Sequence, residues 1–100
     1  FATAQQDMQA RALVEARVDA DRMIAATRSA LAADGDLLDA AERQAIDTLI
    51  ERLSQVVTSD SAADIEAATD ALAKGTEAFA ALRMNRGIQQ ALAGRKLEEV

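Results

Sequence analysis

Apolar positions along the chain recur at spacings of three and four residues, the pattern of helices that bury one face. The clearest repeat lies in "LLDAAERQAIDTLIERLSQVV" and comprises Ala45, Ile46, Leu49, Ile50, Leu53, Val56 and Val57. A second stripe keeps the same spacing through Ile65, Ala68, Leu72, Gly75, Phe79, Leu82 and Arg86. Glycine inside a helix costs about 1 kcal/mol relative to alanine. Gly75 therefore predicts close contact between this helix and a neighbour.

Polar breaks separate these stripes from each other and from a first helical run over residues 1–33. The sequence "DGD" ends the first run, and Gly35 is placed to act as its left-handed C-cap. Asp39, followed three residues later by Glu42, predicts a capping box at the start of the second helix. "TSDS" ends that helix, and Ser61, with an aspartate three residues later, predicts a further N-terminal cap.

The C-terminal stretch "RMNRGIQQALAGRKLEEV" carries the strongest local concentration of basic residues. After Gly87, the apolar residues Ile88 and Leu92 predict a short fourth helix that Gly94 ends. The basic residues of the stretch are Arg83, Arg86, Arg95 and Lys96. Two glutamates near the end cancel half of this charge, so we expect mostly solvated arginines rather than an anion-binding site.

Helix lengths predict that the first helix protrudes from the fold. At about 1.5 Å per residue it spans roughly 50 Å, against roughly 30 Å for each of the next two helices. Only its C-terminal half can therefore pack in an antiparallel bundle with them. The N-terminal half predicts an exposed interface stripe made of Met8, Leu13, Val14 and Val18.

The predicted fold is all-α, an antiparallel bundle of three main helices plus a short C-terminal helix, with an overlong first helix. Residues 1–100 are expected to form one helical subdomain, a piece of something longer. The predicted bundle core consists of Ile46, Leu49, Ile50, Leu53, Ile65, Leu72, Phe79, Leu82, Ile88 and Leu92.

Composition narrows the function. The chain has no histidine, cysteine, proline, tryptophan or tyrosine, and half of its hydrophobic residues are alanine. Without histidine or cysteine the usual catalytic bases, nucleophiles and metal ligands are missing, so we expect no catalytic residues, cofactor or metal. The aspartates Asp34, Asp36 and Asp39 do not match a calcium loop and are expected to cap helix ends. A net charge of −6 disfavours nucleic acid and anionic membranes as partners.

The order of these segments resembles a known family. The overlong helix ends in "ALAADGDLLDAAERQAID", followed by "IEAATDALAKGTEAFAALRM" and "IQQALAG". This order resembles the C-terminal helical lid of DnaK-type heat-shock chaperones. "QQDMQARALVEARV", "FAALRM" and an abrupt end at "EEV" are most similar to the HscA type, which serves iron–sulfur cluster assembly. The similarity covers essentially all 100 residues.

The resemblance implies a division of labour in a longer, cytoplasmic protein. An ATPase domain that binds ATP and magnesium, and a β-sandwich that holds a client peptide, would precede Phe1. The present chain would close over the sandwich and slow the escape of an IscU-type client. An HscB-type J co-chaperone would act on the preceding domains. The chain itself would hydrolyse nothing.

The resemblance also implies contacts between lid and sandwich. DnaK chaperones form a latch from an aspartate and a histidine four residues later, and Asp21 matches that aspartate. Ala25 stands at the histidine position, so half of the latch is missing and Arg17 or Arg22 become further candidate contacts. The alternative is a free-standing helical interaction module without catalysis. In either case the exposed first helix predicts self-association of the isolated chain.

Overall fold

The structure, a computed structural model, describes the backbone of residues 4–99 and the side chains of residue 4 and residues 7–93. Its helices are α1 (Ala4–Asp34), α2 (Ala40–Val56), α3 (Ala62–Gly75) and α4 (Glu77–Glu99). A 3-10 turn over Gly35–Leu37 joins α1 to α2. No strand occurs within residues 4–99, and the predicted all-α fold is confirmed.

The first three helices run up, down and up. α2 begins beside the C-terminal end of α1 and ends where the Val57 carbonyl meets Arg17, a residue midway along α1. α3 then returns beside α1, so that Phe79, just after α3, lies next to Met23 and Ala30. α3 packs against both α1 and α2, whereas α1 and α2 touch each other less.

The core is a thin seam along these three helices. It consists of Ala16, Ala20, Ile24, Ala30, Leu31, Ile46, Ile50, Leu53, Ile65, Ala68, Leu72 and Phe79. The alanines of α1 let α3 approach closely, while leucine and isoleucine on α2 and α3 supply most of the buried volume. Among the predicted core residues, Leu49 and Leu82 are half-buried.

Both predicted N-terminal caps are present. The Asp39 carboxylate accepts from the Glu42 amide at 2.7 Å, and the Glu42 side chain accepts from the Asp39 amide at 3.2 Å. This is a complete capping box. The Ser61 hydroxyl accepts from the Asp64 amide at 3.2 Å and starts α3.

Gly35 does not end α1 as predicted. Its φ is not positive, and it opens the 3-10 turn instead of forming a left-handed cap. A Cβ on Gly35 would lie 2.9 Å from Nη1 of Arg43, the end of a flexible and exposed side chain that can move aside. The glycine therefore supplies no unusual backbone angle at this position.

The helix boundaries near the C-terminus also differ from the prediction. The third stripe is split at Thr76, whose hydroxyl donates to the carbonyls of Leu72 and Ala73, both at 3.0 Å. Such local bonding competes with continued α-helix and is typical of threonine at a helix end. Gly75 thus ends α3, although it still allows close contact, since a Cβ there would overlap Cδ1 of Leu49.

The predicted short fourth helix is absent, because α4 runs without a break from Glu77 to Glu99. Neither Gly87 nor Gly94 interrupts it. Ile88 and Leu92 are each 51% exposed, so the prediction that they belong to the core is wrong. A helix that continues straight carries both side chains past the end of the bundle instead of folding them back onto it.

Candidate interaction surface

The N-terminal part of α1 extends beyond the bundle, as the helix lengths predicted. We call residues 4–15 the arm and Ala16–Asp34 the supported segment. Ala16 and Ala20 are 2% and 0% exposed, whereas Met8 and Val14 are 69% and 58% exposed. The change in burial occurs within a single uninterrupted helix.

One face of α1 points away from the bundle on both sides of this boundary. Val14, Val18, Asp21 and Ala25 are spaced by four, three and four residues, so they share a face roughly opposite Ala16 and Ala20. We call these four residues the outer face. Val18 is 41% exposed, and Asp21 and Ala25 are also exposed. The outer face thus joins two branched apolar side chains to one carboxylate.

The other predicted members of the exposed stripe lie elsewhere on the helix. Met8 lies to one side of the outer face and is exposed. Leu13 is half-buried and packs against the core. It had been predicted as part of the exposed stripe, but it faces the bundle because it lies one helical turn before Ala16 and Arg17 on the packed side of α1.

Of the three predicted contact residues, Arg17 is engaged within the chain. Its Nε donates to the Val57 carbonyl at 3.1 Å, and its Nη2 donates to the Ser59 carbonyl at 2.8 Å. Nη2 also lies 3.5 Å from the Asp60 carboxylate. Arg22 is exposed on α1. The guanidinium of Arg17 therefore binds the segment that joins α2 to α3.

A second arginine site joins α4 to the end of α1. Nη1 of Arg86 donates to Asp34 at 3.1 Å and to Asp36 at 3.0 Å, and its Nη2 donates to Asp36 at 2.6 Å. Nε of Arg83 donates to the other oxygen of Asp34 at 2.9 Å. The guanidinium carbon of Arg83 also lies 5.9 Å from the centre of the Phe79 ring. Two arginines and two aspartates thus form one network.

The charges of this network reinforce each other. Hydrogen bonding from Arg83 holds the pKa of the Asp34 carboxyl below its usual value, and bonding from Arg86 does the same for the pKa of Asp36. Conversely, the bonds to Asp36 raise the pKa of the Arg86 guanidinium. Both aspartates are therefore ionised across the physiological range.

This network corrects two predictions. Asp34 and Asp36 bind arginines rather than capping helix ends, and Arg83 and Arg86 are ion-paired rather than mostly solvated. Sequence reasoning missed the pairing because the partners lie about 50 residues apart. A signal was present, since two arginines three residues apart share a helix face and can meet two aspartates near a helix end. The side chains of Arg95 and Lys96 lie outside the described residues.

A shallow groove lies between α1 and α2. It is lined by residues of both charges, Arg28, Arg43, Asp47 and Glu51, together with Leu31, Ile50 and Ser54. Among the side chains of residue 4 and residues 7–93, no three from histidine, cysteine, aspartate or glutamate are grouped so as to hold a metal ion. No helix in the described part of the chain is long and apolar enough to cross a bilayer.

Comparison with known proteins identifies the class. The family model described as Hsp70 protein matches residues 2–85. The chain therefore belongs to the Hsp70 family. Within it, the chain is 71% identical over 100 residues to the chaperone protein HscA homolog of Delftia acidovorans, and this match covers the whole chain. It is 64% identical over 100 residues to the HscA homolog of Paracidovorax citrulli, and 67% identical over 98 residues to that of Verminephrobacter eiseniae.

These matches also define how much of each relative the chain represents. The chain spans 16% of the length of each of these HscA homologs. The similarity therefore assigns the family and the kind of chaperone. The activity, clients and partners of a full-length protein are treated below as proposals.

Proposed function

We propose that this chain is the helical lid of an HscA-like chaperone and closes over a client peptide held by a β-sandwich domain of the same polypeptide. The observation that carries the proposal is the exposed outer face of α1, which runs from Val14 in the arm to Val18 and Asp21 in the supported segment. Exposed apolar side chains on one helix face, bordered by charged residues, are typical of a surface that docks on a partner. Membership of the Hsp70 family supports a sandwich as that partner.

In this proposal the chain contributes no chemistry. An ATPase domain that binds ATP and magnesium would drive the cycle, and an HscB-type J co-chaperone would act there. The client would be an IscU-type scaffold protein of iron–sulfur cluster assembly in the cytoplasm. The high identity to HscA homologs supports this choice of client class.

The lid acts by a physical barrier. With the bundle above the client and the arm lying on the sandwich, the client can leave only after the arm has lifted or bent. The apolar residues of the outer face favour the closed position, because lifting exposes them to water. Asp21 adds a directional contact to a donor on the sandwich, although Ala25 supplies no second group one turn further along. Arg22 is a further candidate for such a contact.

The test compares three forms of a full-length HscA-type chaperone that carries this chain. One form is intact, one stops just before Phe1, and one lacks only residues 87–100. We expect a fluorescent client peptide to dissociate at least about tenfold faster from the form without the lid. The form that lacks residues 87–100 should behave like the intact protein, because it keeps the arm, the core and the arginine network. Equal dissociation rates from all three forms would contradict the proposal.

A single residue refines the same experiment. Asp21→Asn removes the charge from the outer face, and Asp19→Asn removes an equally exposed charge from another face of the same helix. We expect faster client release only from the first variant, by about two- to fivefold for one exposed charge-assisted contact. Equal release from both variants would exclude Asp21 as a contact.

The competing function is a free-standing helical interaction module. The exposed apolar residues of the arm support it as well, because the same face can bind another protein. The truncation experiment separates the two functions, since a free-standing module has no effect on peptide release from a neighbouring domain.

A further inference from the structure

Arg17 lies where α1 passes from the arm to the supported segment. The preceding residue, Ala16, is 2% exposed and touches the core, whereas Val14 is 58% exposed. Arg17 itself is half-buried. It is therefore placed at the base of the arm, one helical turn after Leu13, which also packs against the core.

Arg17 binds the carbonyls of Val57 and Ser59, which need hydrogen-bond donors from outside α2. The Val57 amide bonds to the Leu53 carbonyl at 2.9 Å, and the Ser59 amide bonds to the Val56 carbonyl at 2.9 Å. The carbonyls of Val57 and Ser59 lie beyond those last turns, and Arg17 donates to both. The guanidinium also lies at the negative end of the α2 dipole. The Arg17 guanidinium thus donates hydrogen bonds to carbonyls at the end of α2 and attaches that end to α1.

The segment that Arg17 holds also covers α1. Leu13, Val57 and Ala62 all pack against the core. Leu13 lies four residues before Arg17 and therefore on the same side of α1, toward this segment. If the segment 57–61 moves away, Leu13 loses its cover, and the first firmly buried residue of α1 is then Ala16. The free part of α1 would lengthen by about one helical turn.

We propose that Arg17 is a positioning residue that fixes the α2–α3 connection against α1 and thereby sets where the arm begins. The Asp60 carboxylate, on a side chain that is 99% exposed, contributes little to this attachment. The hydrogen bonds from Arg17 to the two carbonyls provide most of the attachment. Where the proposed lid function holds, a longer arm holds the bundle less rigidly over the client, so client release becomes faster.

Hydrogen exchange of this chain tests the attachment without reference to any client. We expect Arg17→Ala to speed exchange about tenfold or more in residues 13–20 and 57–65, since charge-assisted bonds at both places are lost. Amides near Leu72 should not change. Arg17→Lys should restore part of the protection, because its ammonium can still donate to a carbonyl. Asp60→Asn and Arg22→Ala are the controls and should leave both segments unchanged.

Two outcomes would overturn the proposal. Faster exchange in 57–65 alone would mean that Arg17 only caps α2 and has no influence on the arm. Unchanged exchange in both segments would mean that the bonds contribute nothing. If Arg17→Ala also speeds exchange near Leu72, the milder Arg17→Lys decides, because its effect must still be larger in 13–20 than near Leu72.

The functional consequence is measured separately in the full-length protein. There Arg17→Ala should raise the client dissociation rate, and Arg22→Ala should raise it less. If removal of the whole lid leaves release unchanged, the lid proposal fails while the exchange pattern still decides the role of Arg17. If the lid matters but Arg17→Ala leaves release unchanged, the link from arm length to client release is wrong.

Discussion

The arm and the supported segment belong to one continuous helix, α1, but they differ in how far their apolar side chains are buried. The supported segment buries alanine, isoleucine and leucine against α2 and α3, whereas the arm leaves Met8 and Val14 in water. Both halves carry apolar residues at helical spacing. Apolar residues at helical spacing therefore indicate that one face of a helix packs against something. They do not show whether the same chain supplies the partner.

The largest loss of stability should come from removing a side chain that is buried in the bundle. Leu72→Ala empties a fully buried position on α3 and should lower the free energy of unfolding by about 2–5 kcal/mol. Val14→Ala removes an exposed side chain from the arm and should change stability by less than about 0.5 kcal/mol. Urea unfolding of the isolated chain measures both. A large loss with Val14→Ala would show that the arm already has a partner within the chain.

Two glycines give the next test, because one is packed and the other is free. A Cβ on Gly75 would overlap Cδ1 of Leu49, whereas a Cβ on Gly87 would meet nothing within 4 Å. We expect Gly75→Ala to destabilise the chain by about 1 kcal/mol, and Gly87→Ala to stabilise it by about 0.5–1 kcal/mol. Thermal unfolding measures both changes.

A double-mutant cycle shows whether the Gly75 effect comes from the packing contact. In a Leu49→Ala background the obstructing side chain is gone, so Gly75→Ala should lose its penalty. If the penalty persists, its origin is the backbone at the end of α3 rather than contact with α2.

The arginine network should produce a smaller, pH-dependent effect. Asp34 and Asp36 have pKa values held below the ordinary 3.8, so their contribution is fully present above that pH and is lost as the pH falls through their folded values. Arg86→Gln should lower the melting temperature at pH 7, and the gap from the parent chain should shrink below about pH 4. Arg22→Gln is the control. A gap that stays constant with pH would contradict a role for these ion pairs.

Self-association of the isolated chain should be the weakest effect. The exposed apolar residues of α1, Met8, Val14 and Val18, favour pairing at high concentration, although a stable interface usually buries roughly 800 Å² per partner. Sedimentation should show concentration-dependent dimers that Val14→Asp removes and Met84→Asp leaves. The reverse result would assign association to α4, where Met84 is 68% exposed.

Local signals in the sequence predicted the fold class, the caps at Asp39 and Ser61, and the protruding first helix. These features depend on residues close together in the chain, so spacing alone reveals them. The course of α4 was not predictable in the same way. Ile88 and Leu92 have core-like spacing, yet whether a helix folds back at Gly87 depends on contacts distant in sequence.

The candidate site shows the same division. The exposed stripe was predicted from helix lengths, and Met8, Val14 and Val18 are exposed as expected, whereas Leu13 packs against the core. Arg17 was predicted as an outward contact, but it binds backbone carbonyls 40 and 42 residues away. No local pattern marks an arginine for such carbonyls, because any loop that comes within reach can supply them.

Burial of the outer face in a longer chaperone is tested most directly by thiol labelling. The chain has no cysteine, so Val14→Cys and the control Met84→Cys each introduce one thiol into it, and labelling is followed on the corresponding peptides by mass spectrometry. In the isolated chain both positions should react freely. In the full-length protein with client peptide bound, we expect labelling at position 14 to slow at least about tenfold while position 84 changes less than about twofold. Equal labelling at position 14 in the two proteins would show that nothing covers the outer face, and the lid proposal would be wrong.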